Sequence, residues 1–233
     1  MTLLIAAAAF FVLLHLLVSG TALRGAIVGV IGEGAYMGLF SLASVGGIVW
    51  LSMAYGDARG TGEVFWDAGA GARHAAILLM LMSLLLVVPG LTTPNPTSVK
   101  QEGALNRPDA VKGMLRITRH PFLWGVAIWS LAHLLANGDT PSLILFGAML
   151  ALALFGTASI DAKRKKALGA TWDGFAAQTS NLPFGAILTG KQKLSLGEIG
   201  RIALRPSLPV RRLAPGLIAR PGGAMLPHSG ESP

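Results

Sequence analysis

The sequence predicts an all-α, polytopic transmembrane bundle of five membrane-spanning helices, with the amino terminus outside and the carboxyl terminus inside. Three observations carry this. Apolar residues make up 52% of the 233 residues and charged residues only 13%, against roughly 25% charged in soluble domains. Five apolar runs approach the length of about 20 residues that a bilayer core demands. Lysine and arginine fall almost wholly on one side of those runs, as the orientation rule for short loops requires.

The runs are Thr2–Ser19, Gly34–Tyr55, His74–Leu91, Pro121–Asn137 and Pro141–Ile160. Each is expected to be helical, because lipid cannot satisfy free backbone amides and no barrel-like alternation is visible. The first resembles a signal peptide in length. It has no charged start and no small-x-small cleavage site, so it is expected to be a retained helix. With the amino terminus outside, the outer loops hold Arg59 and Arg73, and the other seventeen of the 19 Lys and Arg lie inside. Gly residues at 25, 29, 32, 34, 46 and 47 suit close helix approach. The hairpin Asn137-Gly138-Asp139-Thr140-Pro141 joins two antiparallel helices, with Asp139 and Asn137 expected to cap the fifth. Thr92–Arg119 reads as an inner loop. Residues 191–233 are basic and rich in Pro and Gly, and read as a largely disordered cytoplasmic tail.

Composition excludes several functions. There is no cysteine, hence no disulfide, thiolate metal site or cysteine nucleophile. The net charge of +8 sits beside the apolar runs, so it is assigned to topology and lipid contact rather than to nucleic acid. No Walker or Rossmann loop occurs.

Ionisable residues inside membrane helices point to function by default. His15 and His133 lie well inside apolar runs, His74 and His120 stand at helix starts, and His228 is in the tail. Neutral imidazoles on different helices can hold a haem iron. A lone His that hydrogen-bonds across helices is the plainer alternative. Depth arithmetic leaves three pairings open: His15 with His133, His15 with His120 inside, and His74 with His133 outside. Arg119 or Arg116 is a candidate to bind haem propionates, against the plainer role of lipid-phosphate contact.

The strings Arg119-His120-Pro121-Phe122-Leu123-Trp124-Gly125 and Ala132-His133-Leu134-Leu135-Ala136-Asn137-Gly138-Asp139 resemble the NnrU family. So does Thr171-Trp172-Asp173-Gly174-Phe175 with Thr179-Ser180-Asn181-Leu182-Pro183-Phe184. The likeness covers roughly residues 1–190 and includes His15 and the pair Arg73-His74. It implies a membrane protein associated with nitrite and nitric oxide metabolism in denitrifying bacteria, at a cell inner membrane. The family is also similar to the zeta-carotene isomerases of plants and cyanobacteria, which use b-type haem. In those enzymes the implied ligands fall on His15 and His133 of this chain. The departure lies in the tail, where arginines and prolines stand in place of a last apolar helix and Pro227-His228 only echoes a terminal His-Pro.

The functional expectation is therefore a haem-b-binding membrane protein in nitrogen-oxide handling. A haem-dependent cis–trans isomerase of polyenes and a non-catalytic partner-binding subunit are the alternatives. The RHP-x-x-x-G string also resembles the isoprenylcysteine methyltransferases. Their Glu pair is missing here, where Asp161-Ala162-Lys163-Arg164-Lys165-Lys166 stands instead.

Overall fold

The computed structural model describes residues 1–198 apart from residue 108. The expected disordered tail from residue 199 onward, and His228 with it, lies outside the described residues. All five apolar runs coincide with helices, Ser19 and Asn137 lying one residue past theirs. Helix α1 spans Thr2–Leu13 and continues as a π-turn over Leu14–Val18. Helix α2 spans Leu23–Ala58, α3 Gly69–Thr92, α4 Pro121–Ala136 and α5 Thr140–Leu168. Two short helices follow, α6 over Ala170–Gln178 and α7 over Gly185–Leu188. Single 3-10 turns cover Glu102–Asn106 and Gly113–Arg116.

Of the five, α2, α3 and α5 are long and apolar enough to cross a membrane, whereas Thr2–Val18 and Pro121–Ala136 are shorter. At 1.5 Å per residue a helix of 16 residues reaches about 24 Å, short of a core of roughly 30 Å. Helix α2 begins eleven residues earlier than its apolar run because it is two helices joined at Gly32, whose φ is +81° and ψ +158°. Only glycine adopts that conformation without strain, and the expected run Gly34–Tyr55 is the part beyond the kink. Helix α5 outlasts its run for another reason. Asp161–Lys166 is charged but rich in good helix formers, so the helix continues as a polar extension.

The helices pack in the spatial order α3, α4, α5, α1, α2. Consecutive helices α2 and α3 thus stand at opposite ends of the row. Their connection, residues 59–68, crosses the α4–α5 hairpin: Phe65 N–H donates to Gly138 O (2.7 Å) and Thr140 N–H to Glu63 O (2.9 Å). Trp66 Nε1 donates to Leu134 O (3.2 Å). Asp139 caps α5 as expected, accepting from Ser142 N–H at 3.0 Å. Asn137 instead closes α4, its Nδ2 donating to His133 O at 2.9 Å. The main apolar core joins Leu4, Ala7 and Phe11 of α1, Leu51 and Ala54 of α2, and Leu145 and Phe146 of α5. At the other end of the bundle the segments around Met114, Ile117, Trp172 and Phe175 fold into a second, polar-laced layer under the helices.

The glycines expected to mark close helix approach mostly do not. Gly25, Gly29, Gly32, Gly34 and Gly46 meet no other part of the chain, and of that set only Gly47 lies tight, against Phe10 and Phe11. The tight crossing is between α3 and α4. A Cβ at Gly125 would lie 2.5 Å from Val87 Cγ2 and 3.1 Å from Ser83 O, and one at Gly90 would lie 2.6 Å from Phe122 N. Ser83 Oγ donates to Gly125 O (2.8 Å), sealing the crossing. Gly125→Val is expected to destabilise the fold by about 3 kcal/mol through overpacking, measured as a lower thermal midpoint in detergent. Gly29→Ala, in open space, is expected to leave that midpoint unchanged or raise it.

Candidate functional site

The imidazole of His15 sits inside the π-turn, where Ser19 N–H reaches back five residues to Leu14 O (3.2 Å). Such turns insert an extra residue into a helix and often accompany functional sites. His15 Nδ1 lies 2.8 Å from Phe11 O, so Nδ1 carries the proton and donates. The other nitrogen, Nε2, is 3.5 Å from Ser44 Oγ, but the Ser44 hydroxyl donates to Phe40 O at 2.8 Å. Its one proton is thereby committed, and the Nε2 lone pair is left without a strong donor. Phe11 (4.4 Å between centroids) and Phe40 (5.3 Å) hold the ring in place. An imidazole with Nδ1–H on a backbone carbonyl and a bare Nε2 is the arrangement metal-ligating histidines use.

His133 is placed differently. Its ring lies flat on Phe146 at 4.3 Å and 5°, with Trp129 at its edge (4.9 Å). It is half-buried, three residues from the end of α4, close to where the α4–α5 hairpin turns. His15 is thirteen residues along α1 from Thr2, at the opposite depth of the bundle. Counted from Thr2 and from Ala136, the two rings stand about 15 Å apart in level by helical rise. Phe11, which packs on His15, and Phe146, which packs on His133, belong to one core cluster. The donor chemistry of His15 fits a haem iron, and among the described residues His15 and His133, the pair the family resemblance implies, share no hydrogen bond or ring contact.

His120 forms a separate site. It is 2% exposed, at the N-cap of α4, and its Nε2 donates to Asp161 Oδ1 at 2.7 Å. Its Nδ1 is buried without a partner among the described residues. The same carboxylate takes Arg119 through Nε (3.0 Å) and Nη2 (2.6 Å), and Asn181 Nδ2 at 3.2 Å. Arg119 N–H donates to Ser180 O (2.9 Å), and its carbonyl accepts from Asn95 Nδ2 and Thr97 Oγ1, both 3.1 Å. Four segments therefore converge on one carboxylate. Burial works against the Asp161 charge, and the His120 and Arg119 hydrogen bonds outweigh it, holding the carboxyl well below the usual carboxylate range. Arg119, expected as a propionate or lipid contact, has its guanidinium committed here.

His74 is exposed on the first turns of α3, so His74 is brought together with none of the other histidines. Arg116 is occupied by Glu198 through Nε (2.9 Å) and Nη2 (3.0 Å), and by Gln192 Oε1 (2.7 Å). Residues 192 and 198 of the basic segment are thus tied to the polar layer. Sequence reasoning missed Asp161, Asn181, Ser44 and the π-turn. Asp161 carried a signal, being the one carboxylate between Asp139 and Asp173, placed just past an apolar run.

The description "NnrU protein" matches residues 3–218. The chain belongs to the NnrU family. This family member is 28% identical to a chloroplastic 15-cis-zeta-carotene isomerase of Arabidopsis thaliana over 80% of its own length. It is also 28% identical to the isomerase of that name from Zea mays over 71%. The chain spans about half the length of these curated relatives, 51% and 45% respectively. No solved structure matches significantly.

Because the folded Asp161 carboxyl is depressed, its contribution to stability is complete above the ordinary carboxylate range. It is lost as the pH falls toward the lowered value. Asp161→Asn is expected to cost about 3 kcal/mol at neutral pH by stranding Arg119 and His120. Thermal unfolding in detergent would show this, with the gap from wild type narrowing below about pH 4; an unchanged midpoint at neutral pH contradicts the assignment.

Proposed function

We propose that this NnrU-family protein is a multi-pass protein of a cell inner membrane that holds b-type haem through His15 and works as a haem-dependent cis–trans isomerase of a polyene-like lipid. The five-crossing, N-out/C-in arrangement belongs to the same proposal. It is supported by the grouping of Met1, Gly62 and Thr140 at one end and of the Lys163–Ser19 and Arg119–Asp161 pairs at the other.

The observation that carries the reading is the uncommitted Nε2 lone pair of His15. It is half-buried, tautomerically fixed by Phe11 O, and walled by Phe11 and Phe40. A ferrous haem bound there would supply a Lewis-acidic iron. The chain's own contribution is to orient the imidazole through the Nδ1–H bond, which also raises its basicity. Phe11 and Phe40 pack on the ring, with Tyr36 stacked behind Phe40. The apolar outer faces of α1 and α2, with Leu13, Leu17, Leu39 and Leu42 exposed, offer a lipid-side approach for an apolar substrate. The isomerase class follows the names of the two plant relatives. A role in nitrite and nitric oxide metabolism would draw on the same haem and rests on family association.

Purified protein in mild detergent is expected to show a Soret band and a pyridine haemochrome. His15→Ala is expected to lose both, and His133→Ala to retain them near the wild-type level. Loss in His133→Ala as well would restore the bis-histidine pair and require the Phe146 stack to open. Colourless wild-type protein after haem supplementation would sink the haem reading and favour a partner-binding subunit. Incubation with a cis-zeta-carotene, followed by chromatography of the isomers, separates the isomerase from a nitric-oxide-binding protein that leaves the polyene unchanged.

A further inference from the structure

A line of side chains runs from His15 toward the polar layer along one face of α2. Ser44, Phe40 and Tyr36 recur at every fourth position, the spacing that stacks residues on a helix face. Phe40 meets the His15 ring edge-on at 5.3 Å, and Tyr36 stacks on Phe40 at 5.8 Å. The guanidinium carbon of Arg24 lies 5.3 Å from the Tyr36 ring centre. Tyr36 is 4% exposed, yet its hydroxyl has no partner among the described residues. A buried hydroxyl left in that state is costly, and a bound ligand would relieve the cost.

Two cations stand at this end of the line. Arg24 uses Nη2 on Glu33 across the Gly32 kink (2.6 Å), and Lys163 Nζ donates to Ser19 O (3.1 Å). Their other donors are uncommitted among the described residues. Three neighbouring arginines of the layer are spent: Arg119 on Asp161, Arg116 on Glu198, and Arg164 on Glu102 and Ser98 O. Desolvation, and behind it the like charges of Arg24 and Arg164, lower the Lys163 ammonium below its ordinary value. An anion placed beside it reverses that penalty.

We infer that Arg24 and Lys163, with the hydroxyl of Tyr36, are the seat for the carboxylate arms of the haem held at His15. The inference rests on the haem reading above and deepens it by fixing which way the porphyrin's acidic edge faces. Guanidinium, ammonium and phenol all donate charge-assisted hydrogen bonds to carboxylates. The step from Phe40 or Ser44 down to Tyr36 is about 6–12 Å by helical rise, on the scale of a porphyrin radius with its propionate arm. The same cations would also attract an anionic lipid headgroup, so the test must separate the two anions.

The full chain in nanodiscs is loaded with haem b or with its dimethyl ester, and haem transfer to excess apomyoglobin is followed by absorbance. Arg24→Gln/Lys163→Gln is expected to release haem b about tenfold faster, equivalent to roughly 1.4 kcal/mol. Tyr36→Phe should speed release by a smaller factor, and in both variants the Soret position should stay where His15 ligation puts it. The dimethyl ester should leave the wild type at the variant's fast rate and be indifferent to the double substitution. Release of haem b from the double variant at the wild-type rate overturns the inference while leaving the His15 reading intact. An equal acceleration for acid and ester overturns it too, as a general loosening of the fold. So does a wild-type rate that changes with anionic lipid content while the variant's does not, which assigns the cations to headgroups. A wild type that takes up no haem removes the proposed function and this inference together.

Discussion

Asp161 stands where helix α5 leaves its apolar run, and the surrounding donors converge on it. His120 brings the start of α4, Arg119 the end of the long loop that follows α3, and Asn181 the segment after α6. Each donor is buried or nearly so, and each would be costly to leave unpaired at the edge of an apolar bundle. The carboxylate therefore fixes the order in which four chain segments meet beneath the helices. The Arg119 backbone extends the same constraint to Ser180, Asn95 and Thr97. The polar layer and the α3–α4–α5 half of the bundle depend on this one charge.

That commitment redistributes the roles the residue types suggest. A His and an Arg at a membrane boundary are natural candidates for cofactor or lipid contact, and here both are bound to Asp161. A different imidazole environment lies in the other half of the bundle, where α1 packs between α5 and α2. There the π-turn turns His15 toward α2, and the backbone of Phe11 fixes its tautomer. His133 belongs to the α4–α5 side, stacked on Phe146 at a different level. Two imidazoles that look equivalent along the chain are held by unlike environments. One has a directed lone pair, the other an aromatic face.

The spatial order of the helices explains why these two halves differ. The connection between α2 and α3 passes over the α4–α5 hairpin, fastened by the Phe65–Gly138 and Thr140–Glu63 hydrogen bonds. Helices α2 and α3 are thereby parted, and each exposes apolar side chains on its outer faces. Gly90 and Gly125 bring α3 and α4 to near backbone contact, whereas the glycines of α2 leave open surface.

Helical class, the five apolar runs and the cap at Asp139 were legible in the chain, because length, hydropathy and capping chemistry are local properties. Family membership was legible too, in strings such as Arg119-His120-Pro121 and Ala132-His133. The kink at Gly32 and the close approach at Gly125 were not: glycine permits both and announces neither. Nor could spacing reveal that Asp161 would claim Arg119 and His120, since forty residues and a helix hairpin separate them. The sequence supplied the buried imidazoles and the cations around them. Only the packed structure shows what each is bonded to, because that depends on the hydrogen bonds its neighbours have already made.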